Sequence, residues 1–221
     1  MLVSVYSNVK KLLLRLFLIT LCTLAVCASA LAFDRTRVNE SPEHISPLLN
    51  GQFVPDVIVQ TAFGKDIRLL DIVESRPSVI LFYRGGWCPY CNRQMAGLIE
   101  VEQQILDLGY QIVVISPDSP KRLKEQQTSS EFDVVRLSDS KLVATRAFGL
   151  AYYLPESTVQ KYQSELGAEL VTVEGTSRRA LPVPSAFIVD NTGLIKFQYA
   201  NPNYKVRIEP QLLYYAARVA K

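Results

Sequence analysis

The chain has 221 residues, 48% hydrophobic and 20% charged, enough for one globular domain with a short extension, since domains run to ~100 to 200 residues. This composition excludes a disordered chain, a collagen-like repeat and a multi-span membrane protein. Lys10, Lys11 and Arg15 are the only charges in the first 33 residues and account for the whole formal net charge of +3, so the remainder is neutral and offers no electrostatic footprint for nucleic acid.

Those three cations precede an uncharged stretch from Leu16 to Phe33 that contains Ala28-Ser29-Ala30 and Ala30-Leu31-Ala32. A basic start, an apolar middle and small-residue cleavage sites make residues 1–32 a secretory signal peptide. The alternative is an uncleaved membrane anchor, because ~18 apolar residues come close to spanning a bilayer. Only in that case would the protein contact a membrane. Val26 argues against lipidation at Cys27. Under either reading the positive charges send everything after residue 33 out of the cytoplasm, giving a periplasmic or secreted domain. Four cysteines are too few for a disulfide framework, and cleavage would remove Cys22 and Cys27. Cys88 and Cys91 are then the only thiols.

Residues 33–50 mix Pro42, Pro47 and charges without periodicity and read as a leader wrapping onto a domain at 51–221. Val57 to Gln60 and Ile67 to Leu69, separated by Phe63-Gly64-Lys65, predict a short hairpin. Ser78 to Tyr83 is a continuous apolar and aromatic run suited to a central strand buried on both faces. It leads into Arg84-Gly85-Gly86-Trp87-Cys88-Pro89-Tyr90-Cys91. Met95, Leu98, Ile99, Glu102, Ile105 and Leu106 recur at helical spacing up to Gly109, and Gln111 to Ile115 reads as a second buried strand. Strand, helix and strand in this order imply a parallel, right-handed crossover.

A weaker helix is expected around Pro120 to Thr128, a strand at Val134 to Leu137 and a helix near Lys141 to Phe148. Leu150 to Ala180 breaks the rhythm, with a helical piece through Leu166. It is read first as an insertion covering a sheet edge, and second as one wall of a substrate cleft. Ala186 to Asp190 and Leu194 to Tyr199 predict an antiparallel hairpin turning at Asn191-Thr192-Gly193. Ile208, Leu212, Tyr215, Ala216 and Val219 give a closing amphipathic helix. The fold class is α/β, a central mixed sheet flanked by helices, with an N-terminal hairpin and an insertion before the last hairpin.

A Cys-x-x-Cys between a buried strand and a helix carries a redox mechanism. Cys88 falls at the helix N-cap region, where free N–H groups and the dipole favour a thiolate, and Pro89 suits the first helical position. Cys91, one turn on, lies beneath it. A purely structural disulfide closing so short a loop would gain little from loop entropy. Structural zinc needs four ligands, and two cysteines with a distant His44 do not supply them. His44 reads as a surface residue. Lowering a thiol pKa from ~8.5 to ~7 raises its thiolate fraction roughly fifteen-fold but costs ~5-fold in intrinsic reactivity, so the net gain as attacker is only about threefold. The larger effect is on Cys88 as leaving group. Arg84 either pushes the same way or is a solvated loop charge.

With these residues in view the chain resembles the thioredoxin-like superfamily, and within it the alkyl hydroperoxide reductase and thiol-specific antioxidant branch. The matching segments are Gly51-Gln52-Phe53-Val54-Pro55-Asp56, Phe82 to Cys91, Leu181-Pro182-Val183-Pro184-Ser185-Ala186-Phe187-Ile188-Val189-Asp190 and Asn201-Pro202-Asn203-Tyr204-Lys205-Val206-Arg207. The resemblance implies a thioredoxin-like fold, a cis-proline at Pro184 facing the thiols, and backbone at Val183 and Pro184 that pairs with an incoming extended chain. It also implies that Trp87 packs beside the sulfurs. Peroxiredoxins of this branch carry Pro-x-x-x-Thr-x-x-Cys, with the last Cys attacking peroxide. That register puts Cys91 at the attacking position, Cys88 at the Thr and Arg84 at the Pro. One family Arg that contacts peroxide falls on Pro184, and a second matches Arg207.

These residues predict a thiol-disulfide oxidoreductase in which Cys88 exchanges with a substrate and Cys91 resolves it, with Trp87, Val183, Pro184, Arg84 and Arg207 lining the substrate site. The alternative is a thiol peroxidase with Cys91 peroxidatic and Cys88 resolving. A minor alternative is a copper or iron-sulfur carrier. The expected partners are protein thiols or disulfides, small thiols and hydroperoxides, with no cofactor.

Overall fold

The computed structural model describes residues 34–128 and 134–221 together with Leu13 and Arg15. Apart from those two positions, the expected signal or anchor segment lies outside the described residues. Ten strands and six helices are labelled here within Arg35–Lys221, which forms a unit of its own.

The expected first hairpin is β1 (Ile58–Thr61) and β2 (Asp66–Arg68), paired antiparallel with Val59 opposite Ile67. Helix α1 (Leu69–Ser75) follows directly. It is absent from the sequence reading because Arg68 stands at its N-cap with no side-chain cap, so no start signal marks it. Strand β3 (Ser78–Phe82) is buried at every position. Side chains alternate along a strand, so Val79 and Leu81 enter one apolar layer while Ile80 and Phe82 enter the other. Both faces are thereby covered, the arrangement a continuous apolar run requires.

Helix α2 (Pro89–Asp107) crosses over to β4 (Gln111–Ser116), which lies parallel to β3 with Ile80 opposite Val113. Helix α3 (Pro120–Thr128) leads to β5 (Val135–Ser138), parallel to β4, and the five-residue α4 (Val143–Ala147) is shorter than the stretch expected near Lys141 to Phe148. Strands β9 (Ser185–Val189) and β10 (Ile195–Ala200) form the antiparallel hairpin, and α6 (Pro210–Ala220) closes the chain against α2 and β10. The main sheet runs β10-β9-β3-β4-β5-β1-β2, with β9 antiparallel to β3 and β1 antiparallel to β5. It is a mixed sheet, as the sequence predicts.

Two apolar layers hold it. On one side Leu98, Val101 and Ile105 of α2 and Leu213 and Ala217 of α6 pack on Leu81, Val114 and Ile188. On the other, the rings of Phe82, Phe148 and Phe187 meet with centroids 4.8 to 6.1 Å apart, beside Leu69 and Val73 of α1. Tilted and edge-on aromatic contacts of this kind add to the burial itself.

The insertion is more structured than expected. It holds β6 (Ala151–Tyr153), α5 (Glu156–Leu166), β7 (Val171–Thr172) and β8 (Arg179–Pro182), the three strands forming a separate sheet in the order β6-β8-β7. Strands of two to four residues leave too little alternation for periodicity to detect. The leader docks here: Asn39 bridges to Tyr152, and the N–H groups of Ser46 and Leu48 donate to Gly149 and Phe148 at 3.0 and 3.2 Å.

Gly149 sits at φ +72°, where a Cβ would collide with the Ser46 carbonyl oxygen and the Arg35 side chain. Gly149→Ala is therefore expected to lower unfolding stability by about 2 kcal/mol or more, combining left-handed strain with a backbone clash. Urea denaturation checks this; an unchanged midpoint contradicts the docking of the leader described here.

Candidate active site

Because β9 and β4 flank β3, the C-terminal end of β3 opens at the middle of the sheet, where a loop is held by strands on both sides. Tyr83 extends the pairing by donating its N–H to the Ile115 carbonyl at 3.0 Å. The chain then turns through Arg84 to Trp87. Gly85, at φ +135°, lies so close to the Trp87 ring and the Asp118 carboxylate that a Cβ would strike both. Asp118 braces this turn by accepting the Gly86 N–H at 2.8 Å and the Gln126 Nε2–H at 2.8 Å, while the Tyr83 hydroxyl donates to Gln126 Oε1 at 3.2 Å. Burial pushes the Asp118 carboxyl above its usual range, although the bonds from Gln126, Gly86 and Ser116 oppose this.

Cys88 is the N-cap of α2 and Pro89 its first helical residue. The Cys88 carbonyl accepts the N–H groups of Cys91 and Asn92 at 3.0 and 3.1 Å, so the helical ladder begins at the first cysteine. Both thiols are free, with exposures of 1% for Cys88 and 0% for Cys91. Their acidities diverge. A hydrogen bond from the Cys91 thiol, outweighing burial and helped by the Cys91 backbone and by Arg84 and Arg207, lowers the Cys88 pKa to about 6. Burial, with the neighbouring Cys88 sulfur, pushes Cys91 well up. Both directions favour a thiolate at Cys88 and a proton on Cys91.

Arg207 reaches the pair from the segment before α6. Its Nη2 donates to Cys91 Sγ at 3.4 Å, its Nη1 to Gln94 Oε1 at 2.9 Å and its Nε to the Tyr204 carbonyl at 2.7 Å. The other two bonds aim the guanidinium at the sulfur. A cavity of about 380 Å³ lined by Tyr90, Arg93, Gln94, Lys205 and Arg207 lies beside it.

Trp87 packs against Tyr162 of α5, ring centroids 5.4 Å apart, and its Nε1–H has no partner. Arg84 is not a solvated loop charge: it is 1% exposed, with its guanidinium over the rings of Trp87, Tyr162 and Tyr204. Two expectations drawn from the family resemblance need correction. The peptide before Pro184 is trans, since the described residues contain no cis bond. Trans is the lower-energy isomer of an X–Pro bond, and residues 183 and 184 join β8, whose Pro182 lies opposite Ala151, to β9, whose Ser185 lies opposite Phe82. Nor is the Val183 backbone available to an incoming chain. Its N–H donates to the Leu150 carbonyl at 2.9 Å, its carbonyl accepts the Ser185 hydroxyl at 2.9 Å, and the residue is 0% exposed.

The insertion is a wall of the site rather than an edge cover alone. Tyr152 and Tyr162 of this segment join Trp87 and Val183 in one apolar cluster. Sequence reasoning assigned no role to Tyr152, Tyr162, Tyr204, Asp118, Gln94 or Gln126. The only usable signal was tyrosine density around a buried loop. His44 lies exposed in a 3-10 turn, hydrogen-bonded to Ser41 at 3.1 Å, and among the described residues no group of three or more His, Cys, Asp or Glu side chains is placed to hold a metal.

Comparison with known proteins agrees with this architecture. The sequence model of the AhpC/TSA family matches residues 50–198. The putative peroxiredoxin bcp of Haemophilus influenzae is 28% identical over 106 residues, 48% of this chain and 68% of that protein. Peroxiredoxin bcp1 of Schizosaccharomyces pombe is 30% identical over 91 residues, 41% of this chain and 47% of that one. Among solved structures, peroxidoxin BcpB from Mycobacterium tuberculosis superposes with a TM-score of 0.60 at 16% identity, covering 78% of this chain and 97% of that one. Peroxiredoxin 5 from Alvinella pompejana gives 0.59 at 18% identity, covering 78% and 99%. At these identities the superpositions speak to fold.

The divergence of the two thiols sets a pH dependence. A lowered pKa places the rise in Cys88 reactivity at lower pH, so alkylation of the reduced protein should climb through a midpoint near pH 6 at Cys88, while Cys91 stays unmodified past pH 9. Mass spectrometry of iodoacetamide-treated protein checks it, and equal labelling of the two cysteines at pH 7 contradicts the arrangement.

Proposed function

The chain belongs to the AhpC/TSA family and is a thiol-dependent oxidoreductase; on that premise we propose that it reduces small hydroperoxides, cycling Cys88 and Cys91 between dithiol and disulfide. One observation carries this reading over exchange with protein disulfides: both sulfurs are buried, and the backbone that would receive an extended polypeptide is already hydrogen-bonded within the domain. A hydroperoxide needs only a small opening. A folded protein's disulfide needs an edge.

The chemistry follows from the charge state of the pair. The Cys88 thiolate attacks the distal oxygen of ROOH, the O–O bond breaks, and the departing alkoxide takes a proton to leave as ROH; Cys88 becomes a sulfenic acid. The Cys91 thiol then attacks Cys88, and the sulfenic oxygen leaves as water with the thiol's proton. A dithiol reductant closes the cycle by two exchanges: its first thiolate attacks Cys88 and displaces Cys91, and its second thiol then attacks the reductant's own sulfur and releases Cys88, whose low pKa makes it a good leaving thiol. Exchange, the first reading of the sequence, thus becomes the recycling half of the reaction.

Arg207, hydrogen-bonded to Cys91 and lining the adjoining cavity, is the group from which a peroxide oxygen would take a charge-assisted hydrogen bond. The family register puts attack on Cys91, but Cys91 lies one turn inside α2, whereas Cys88 stands at the helix N-cap, where free N–H groups and the dipole favour a thiolate. We therefore assign attack to Cys88 and resolution to Cys91. We further propose that the reaction takes place outside the cytoplasm, a reading supported by the basic and then apolar order of residues 1–32.

Cys91→Ser is expected to consume about one equivalent of peroxide and to label with dimedone at Cys88, whereas Cys88→Ser should lose at least about 100-fold in rate, since its remaining thiol is not ionised. Labelling confined to Cys91 in Cys88→Ser, with peroxide consumption preserved, would reverse the two roles; no consumption by either variant removes the peroxidase reading.

A further inference from the structure

Arg84 heads the fully buried side chains of the domain by volume, and a guanidinium is the costliest group to bury without a carboxylate. Its charge cannot be relieved by deprotonation, because the guanidinium stays protonated at any pH a protein survives. Its Nε and Nη2 hydrogens have no partner. Instead of acids it meets aromatic faces, lying 4.1 Å from the Tyr204 ring centroid, 4.7 Å from Tyr162 and 5.3 Å from Trp87. Cation–π contact offsets part of the lost hydration. It does not neutralise the charge.

The groups that bear on Arg84 come from every element packed against it: Tyr152 of β6, Tyr162 of α5, Tyr204 from the loop after β10, and Cys88 at the start of α2. Burial pushes the phenols of Tyr152 and Tyr204 further from ionisation, so neither supplies a negative charge near neutral pH. Cys88 is the group among them that does.

We infer that Arg84 is a positioning residue that sets the redox bias of the couple: its guanidinium, walled from water by Trp87, Tyr162 and Tyr204, adds to Arg207 a second positive charge acting on the pair, so the dithiol, which carries a thiolate, is favoured over the disulfide, which carries none. The inference rests on the Cys88–Cys91 cycle proposed above and deepens it. Oxidation of the pair removes two electrons, which pass to the hydroperoxide or a disulfide reagent, and one proton, from Cys91. The S–S bond forms and the negative charge disappears, leaving Arg84 among aromatic rings and Arg207 beside the pair with no thiolate to offset them. The disulfide is thereby made easy to reduce, and the insertion, which supplies Tyr152 and Tyr162, is what keeps the guanidinium dry enough for its charge to act at full strength.

The test uses the full domain with no peroxide present, so it can fail while the peroxidase reading stands, and the reverse. In Arg84→Met, which replaces the cation by an apolar side chain of comparable reach, the alkylation midpoint of Cys88 should rise by at least one pH unit. The disulfide-to-dithiol equilibrium in a glutathione buffer should shift at least tenfold toward the disulfide, which corresponds to ~30 mV for a two-electron couple. Arg84→Lys should recover most of both. Where Arg84→Met does not fold, Tyr162→Ala provides the second reading. In the parent the Cys88 midpoint should stay put between about 0.01 M and about 1 M salt, because a sealed pair is poorly screened, and in Tyr162→Ala it should become salt-dependent. A folded Arg84→Met with an unmoved midpoint and equilibrium overturns the inference, as does a Cys88 midpoint in the parent that already tracks ionic strength.

Discussion

A negative charge on one buried sulfur is the constraint around which the site is arranged. Water stabilises a thiolate by solvation, and a site this dry must replace that solvation with fixed donors and cations. The chain does so with the Cys91 thiol and the start of α2, reinforced by Arg84 and Arg207. Each of these has its place because of something larger. Cys91 lies one helical turn beyond Cys88; α2 starts soon after β3 ends; β3 lies inside the sheet, paired with β4 and β9 and buried at every residue under the two apolar layers. The apolar run at Ser78 to Phe82 therefore does chemical service at a distance. It fixes the point in space at which the sulfurs emerge.

The insertion changes what that point can react with. With it, β8 runs directly into β9, the peptide at Pro184 is trans, and the Val183 backbone is satisfied from within. The same segment lowers Tyr162 onto Trp87 and Arg84. One addition to the fold thus narrows access to the sulfurs and dries their electrostatic environment. Both effects favour a small oxidant over a protein disulfide.

How much of this was legible in the sequence depends on the length scale of the signal. The central strands, the crossover helix and the last hairpin could be read because each carries five or more residues of consistent periodicity, and Cys88 with Cys91 could be read because strand, loop and helix N-terminus frame them. Arg207 was reachable through the family register. Strands β6, β7 and β8 were not readable, being two to four residues long, and α1 carried no capping residue to announce it. The burial of Arg84 was invisible for a different reason. Arginine in a loop is ordinarily solvated, and only the convergence of Trp87, Tyr162 and Tyr204, far apart in the chain, encloses it. The expectation of a cis bond at Pro184 was carried over from the family resemblance and had no signal of its own in the local sequence.

The most direct measurement of the central claim is a rapid-mixing single turnover of the reduced parent protein with hydrogen peroxide, followed by Trp87 fluorescence and quenched for mass spectrometry. The account predicts one peroxide consumed per chain, with the Cys88–Cys91 disulfide appearing at the rate of the fluorescence change and that rate following the ionisation of Cys88 near pH 6. Peroxide consumed no faster than by a free thiol such as cysteine at the same pH, with the pair left reduced, would contradict it.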